Sequence, residues 1–269
     1  MKRSVSFTVN YNLQPALALR LFRAAGLKPN GRVLGEHLPH IAANAFLNST
    51  DVGYGSGDSI LLQLSHPEVP RPALLCGITS LPSHHRRSRE RVNRFLSSPD
   101  APERTPEVHL FEGDAIWRPG HRDRGHPLSP QYGHEFDNIL ALDCAYHFDS
   151  RREFLRRSFQ RLAPGGSVAL ADICFSNPPR AALKFFLSGV LHVMPRSNIV
   201  TKEQYLQQMY EIGYENIGVE DITPFVFPGF RAFLTRRGII GRLFAGIMGW
   251  LQGRGLCFVI IEGRKPFAR

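Results

Sequence analysis

The sequence predicts an α/β fold, a Rossmann-like and mostly parallel seven-stranded sheet with helices on both faces. Three observations carry that expectation. From residue 51 onward, short apolar runs alternate with helix-periodic stretches, as successive βαβ units require. A glycine-rich turn, DVGYGSGD at residues 51–58, opens the series where a strand passes into a helix. The chain is 269 residues long, 43% hydrophobic and 21% charged, which suits one globular core and argues against a disordered or fibrous chain.

The elements follow in order. After the glycine turn, Ser59–Ser65 reads as a helix and Ala73–Ile78 as a strand. A basic helix spans His84–Leu96, and Ser97–Pro106, with three prolines, is a loop. Glu107–Glu112 is the next strand, ending at Gly113 and Asp114, and Pro119–His134 is a Gly-, Pro- and His-rich surface loop. Phe136–Leu142 is a strand and Arg151–Leu162 a helix. Pro164, Gly165 and Gly166 then turn tightly into the strand Val168–Ile173. Beyond it lie an apolar helical insert, Ala181–Val193, and an amphipathic helix, Lys202–Ile212. Two last strands, Asn216–Asp221 and Cys257–Glu262, flank a helix over Gly229–Gln252. A long helix before a final strand lets that strand enter antiparallel.

Composition narrows the function. Lys and Arg number 33 against 23 Asp and Glu, a formal +10, which favours anionic partners. The basic residues are scattered and lack interleaved aromatics, so no nucleic-acid partner is expected. The dense cluster His84, His85, Arg86, Arg87, Arg89, Arg91 and Arg94 has the spacing of an outer helix face. Cys76, Cys144, Cys174 and Cys257 stand apart in apolar surroundings, reading as buried thiols of a reducing compartment. Arg242 and several glycines interrupt the most apolar stretch, Ile239–Leu251, well short of the roughly 18 residues that span a bilayer. The expected location is the cytoplasm, with membrane association or, from the acid-free first 35 residues, a mitochondrial address as alternatives.

Five motifs in order, DVGYGSGD (51–58), GITSLPSHHRR (77–87), EGDA (112–115), FDNILALDCAYHF (136–148) and LAPGGSVALADI (162–173), resemble those of class I S-adenosylmethionine (SAM)-dependent methyltransferases. GITSLPSH and the histidine after strand four are similar to the small-molecule and lipid subgroup: tocopherol, sterol, cyclopropane-fatty-acid and natural-product methyltransferases. The resemblance implies SAM as cofactor. It places Gly53, Gly55 and Gly57 against the methionine part, with Asp51 orienting its amino group. Thr79 and His84 would meet the ribose, where the usual strand-two acid is missing. Asp114 would bind the adenine amino group, with Ala115, Ile116 and Trp117 beside the ring.

Methyl transfer needs an aligned nucleophile and a proton acceptor. At the carboxyl ends of strands four and five the candidates are Asp143, His147 and Asp172. His147 and Asp172 are the expected catalytic residues, while Asp143 also suits a contact to SAM's amino group. Tyr146 could touch cofactor or substrate. The apolar insert Phe175–Met194, within a cap over residues 175–200, and the helix Gly229–Gln252 would form the substrate side. Arg231, Arg236, Arg237, Arg242 and Arg254 beside that apolar face suit a membrane surface.

One departure interrupts the pattern within a single domain of 1–269. Gly31–Leu34 reads as the start of the first strand, yet Asp51 arrives sixteen residues late. Omitting Gly35–Thr50 would give GRVLDVGYGSGD. A retained intron or gene-model error explains the segment best; the alternative is a real insertion in which Asn44–Asn48 supplies the strand. The expected function is methyl transfer to O, N or C of a small, apolar or lipid-like molecule. An RNA or protein methyltransferase, and a non-catalytic protein of the same fold disabled by residues 35–50, are the alternatives.

Overall fold

The computed structural model describes residues 14–27, 48–101, 106–119 and 125–267. Its seven strands are β1 (Asn48–Val52), β2 (Leu74–Thr79), β3 (Glu107–Glu112), β4 (Phe136–Leu142), β5 (Leu162–Phe175), β6 (Glu215–Asp221) and β7 (Leu256–Arg264). They lie in the order β3-β2-β1-β4-β5-β7-β6. All neighbours run parallel except β7, which is antiparallel to both β5 and β6, as the long helical connection before it led us to expect.

The chain leaves β1 toward β2 and β3 and then returns to the other side of β1 for β4 and β5. The crevice between the carboxyl ends of β1 and β4 is therefore the topological switch point, where open α/β sheets bind ligands.

The helices are α1 (Gln14–Ala24), α2 (Asp58–Ser65), α3 (Pro82–Leu96), α4 (Arg151–Arg161), α5 (Ala181–Phe185), α6 (Lys202–Ile212), α7 (Thr223–Thr235) and α8 (Gly238–Gly253). Helices α1, α5, α7 and α8 bury their apolar residues with Ala169, Ala171, Ile173 and Phe175 of β5. Helices α4 and α6 pack with Val168, Leu170 and Cys174 of the same strand. Strand β5 is thus covered on both faces, which is why both alternating sets of its residues are apolar. On the far side of the switch point, Ile60 and Leu64 of α2 and Val92 of α3 close over Leu75.

Several elements differ from the sequence expectation. Helix α1 was not foreseen, although Leu17, Ala18, Leu21, Phe22 and Ala25 form a helical stripe that is buried. The first strand is Asn48–Val52, aligned with β2 from Leu74 to Ile78. Gly31–Leu34, and all of the Asn44–Asn48 alternative except Asn48, lie outside the described residues. Ser49 and Thr50 are buried in this central strand because Ser49 Oγ donates to Gln63 Oε1 and Thr50 Oγ1 to the Cys76 carbonyl.

The helix expected over Gly229–Gln252 is two. Gly238, at φ +80, breaks it, and Gly241 lets α8 fold back onto α7, since a Cβ there would lie 2.1 Å from the Leu234 carbonyl oxygen. The apolar insert forms α5, then a wide π turn over Phe186–Val190. Cys174 and Cys257, which sequence spacing left apart, are cross-strand partners with sulfurs 3.4 Å apart as free thiols.

Candidate active site

The glycine loop hangs from the end of β1. Gly53 N–H donates to the Ile78 carbonyl at 2.7 Å, and Gly57 N–H to that of Tyr54 at 3.0 Å. Gly53, Gly55 and Gly57 all have positive φ. A Cβ on Gly53 would come within 2.4 Å of Cys144 Sγ and one on Gly57 within 2.8 Å of Ser88, so these two are required by packing. Gly55 is different: a Cβ there meets nothing within 4 Å. Its bare backbone faces open space at the switch point, the cradle a bound cofactor needs. Arg91, assigned by spacing to the outer helix face, instead donates to the Ser56 carbonyl and to Asp58, bracing the loop.

Asp51 is buried beneath this loop. Gln63 Nε2 donates to its Oδ2 at 3.3 Å, while Oδ1 has no partner. Burial pushes its carboxyl up to about 6, against the hydrogen bonding of Ser59 and Gln63. An unpartnered buried carboxylate oxygen beneath an open glycine cradle fits a cationic ligand, and SAM carries both an ammonium and a sulfonium.

At the end of β2, Thr79 is buried, and α3 begins three residues later, with His84 half-buried in its first turn. At the end of β3, Asp114 Oδ1 accepts from Ile116 N–H at 2.9 Å and Oδ2 from Arg118 at 3.2 Å. The turn so formed presents Ala115 and Ile116. Trp117 has the Arg157 guanidinium over its ring at 4.9 Å, an occupant the sequence did not suggest.

The other wall of the crevice is the end of β4. Asp143 takes φ 54, an uncommon conformation for a residue with a side chain. It is held there by its N–H donating to the Ala171 carbonyl and by the Tyr146 hydroxyl donating to Oδ1 at 3.1 Å. Burial raises its carboxyl well above the ordinary range. Next to it, Cys144 Sγ donates to the Val52 carbonyl. Residues 143 and 144 therefore connect the glycine loop to what lies beyond.

Beyond lies an apolar cavity of about 120 Å³. Ile173, Leu187, Met194, Phe227, Phe230, Phe244, Met248 and Phe258 line much of it, and Asp143 and Tyr146 are its polar residues. The insert and the α7–α8 pair thus both contribute, as the sequence suggested. His147 lies beside this wall: its ring centroid is 4.2 Å from that of Tyr146, and it hydrogen bonds the backbone of Val193, another lining residue. Burial lowers its pKa, so the imidazole is neutral near pH 7.

Asp172 is not with them. Its strand neighbours Ala171 and Ile173 face the cavity side, so Asp172 points to the opposite face of the sheet. There it is fully buried, accepting from Arg151 Nη1 at 2.6 Å and from the Tyr205 hydroxyl at 3.0 Å. The expectation of Asp172 as a proton acceptor is corrected accordingly: its carboxylate neutralises a buried guanidinium. Arg151, also buried, lies over the Tyr205 ring at 4.0 Å and donates to the carbonyls of Ile173 and Asn198. Asn198 in turn donates to the carbonyls of Tyr146 and Phe148. This network fixes the 3-10 turn Ala145–His147 from behind.

No family model matches the chain. It is 28% identical to erythromycin 3''-O-methyltransferase from Saccharopolyspora erythraea over 94% of this chain and 78% of that one. Among solved structures it is similar to the [4+2]-cyclase SpnF (TM-score 0.62, 17% identity, 94% of this chain and 82% of that one). It is likewise similar to geranyl diphosphate C-methyltransferase from Streptomyces coelicolor A3(2) (0.62, 16%, 94% and 77%). A third is phosphoethanolamine N-methyltransferase 2 from Haemonchus contortus, in complex with S-adenosyl-L-methionine (0.61, 16%, 96% and 53%). These structures share the fold, which by itself does not dictate chemistry, as the cyclase among them illustrates. With the five motifs, the glycine cradle at the switch point and the O-methyltransferase relative taken together, the chain is similar to the class I SAM-dependent methyltransferases in sequence and in fold.

Proposed function

We propose that the acceptor is a small, largely apolar molecule held in the cavity under α7 and α8, and that His147 takes its proton. One observation carries this reading. The cavity's polar wall, Asp143 and Tyr146, is continuous through Cys144 with the loop at Gly53. An acceptor in the cavity therefore presents its nucleophile next to the cofactor cradle. When bound, SAM supplies an activated methyl group.

The chain's residues do the rest. The glycine loop and Asp51 hold the cofactor's charged end, and Thr79, His84 and Asp114 stand along the ends of β2 and β3 for its nucleoside. The apolar lining excludes water and orients the acceptor. His147, neutral at pH 7 and on the same turn as Tyr146, accepts the proton as the new bond to carbon forms. Asp143, protonated or hydrogen-bonded to Tyr146, steers the acceptor's polar group. The relative named above methylates oxygen, and a hydroxyl is the acceptor group we favour.

The test is a panel of apolar alcohols, phenols and amines incubated with the enzyme and methyl-labelled SAM. Turnover of at least one hydroxylated member, with His147→Ala slowed about 100-fold or more at unchanged SAM affinity, supports the reading. Full activity in His147→Ala removes the proposed role. Methylation of RNA or protein with no turnover of the panel removes the acceptor class.

A further inference from the structure

Helix α8 is apolar on two sides. Phe244, Ile247, Met248 and Leu251 face the cavity. On a neighbouring flank Ile239, Leu243, Gly246 and Trp250 recur at helical spacing and are exposed, as is Ile240, one turn before Phe244 at the start of the helix. The exposures are large for such residues: 84% for Ile239, 71% for Ile240 and 64% for Leu243. The first two stand where α8 begins, at the turn between α7 and α8. Phe186, on the insert, meets Trp250 edge-on at 6.3 Å, and its neighbours Phe185 and Val190 are exposed as well.

The helices that carry this stripe have charges of one sign. Between Asp221 and Glu262 the sequence has no acid and five arginines: Arg231, Arg236, Arg237, Arg242 and Arg254. The insert between Asp172 and Glu203 is also free of acid and carries Arg180, Lys184 and Arg196, with Lys202 at its end paired to Asp221. Arg254 lies over the Trp250 ring at 4.9 Å and Arg237 over that of Phe233 at 4.6 Å, which keeps both cations at the edge of apolar side chains. No helix among the described residues is long and apolar enough to cross a membrane.

From this arrangement we infer that the α7–α8 hairpin docks on an anionic lipid surface, with Ile239, Ile240 and Leu243 in the acyl-chain boundary and the arginines at the headgroups. An apolar stripe ringed by cations is the pattern of a helix that lies in the interface plane. A second copy of this chain is the poorer occupant: a two-fold contact between these helices would set arginine against arginine, and neither α7 nor α8 has a carboxylate to pair them. The inference concerns the outside of the cap and stands independently of the acceptor proposed above.

Co-sedimentation with vesicles tests it, using phosphatidylcholine alone and phosphatidylcholine mixed with phosphatidylglycerol. The full chain should bind the anionic vesicles at least about tenfold more strongly than the neutral ones, and lose that preference in high salt. Ile240→Glu/Leu243→Glu and, separately, Arg236→Gln/Arg237→Gln/Arg242→Gln should each weaken binding about tenfold. SAM binding by every variant reports that it is folded, since none of these residues lines the cavity. Failure to bind anionic vesicles, or binding unchanged in both variants, overturns the inference. So does a dimer in light scattering that Ile240→Glu/Leu243→Glu dissociates, which would make the stripe a contact between copies.

Discussion

Replacing Arg151 with methionine is the perturbation whose consequences the structure defines most fully. Arg151 and Asp172 are 1% and 0% exposed, and their contact is 2.6 Å. Removing the guanidinium leaves the Asp172 carboxylate with only the Tyr205 hydroxyl, because its other oxygen already lacks a partner. It also frees the carbonyls of Ile173 and Asn198. Breaking a buried ion pair from one side costs about 3–5 kcal/mol. At roughly 2–4 °C per kcal/mol for a chain of this size, the midpoint should fall by about 6–20 °C. Urea or thermal denaturation of the wild type, Arg151→Met, Asp172→Asn and the double variant measures this. The double variant should recover part of the loss, because neither charge is then stranded. Asp172→Asn should keep methyl-transfer activity in proportion to the protein that stays folded. A loss below about 1 kcal/mol in Arg151→Met would refute the stability reasoning. A folded Asp172→Asn enzyme that is inactive while Arg151→Met works would restore Asp172 as a catalytic residue.

Two further expectations follow from β1 and its loop. Asp51 titrates at about 6 when folded, above its ordinary 3.8, so the folded chain binds the extra proton between those values. Its contribution to stability, on the order of 3 kcal/mol, is present below about 3.8 and lost as pH rises through 6. SAM binding should run the other way, tightening from pH 5 to 7 as the carboxylate ionises, and calorimetry on Asp51→Asn should show a flat profile. The full chain should bind SAM, because Asn48–Val52 already completes the central strand in register with β2 and β4, whereas a version lacking Gly35–Thr50, which loses Asn48, Ser49 and Thr50 of that strand, should bind it more weakly. Binding by the shortened chain alone would contradict that.

The fold was legible because its signals are local. Strand-helix alternation, the glycine turn and PGG, which lies inside the start of β5, place most elements within a few residues of where they lie. The side chain of Asp172 was not legible. In a central strand covered on both faces, Ala169, Ala171 and Ile173 are as apolar as Val168, Leu170 and Cys174, so periodicity gives no facing. Arg151 had no signal either: an arginine after Ser150 at a helix start reads as solvated, and its burial depends on Asp172, Asn198 and Tyr205 arriving from elsewhere. The break in the cap helix could have been read from Gly238 and Gly241, the first a stop signal and the second a close crossing.

The glycine cradle is the feature on which the whole account rests, and Gly55 isolates it. Its Cβ would enter open space, so Gly55→Ala should lower stability only by the roughly 1–2 kcal/mol of a left-handed non-glycine residue. Titrating SAM calorimetrically into the wild type and into Gly55→Ala is the decisive measurement. The account predicts one site in the wild type and binding at least about tenfold weaker in the folded variant. A folded wild type that takes up no SAM, or a Gly55→Ala chain that binds it equally well, would contradict the cradle.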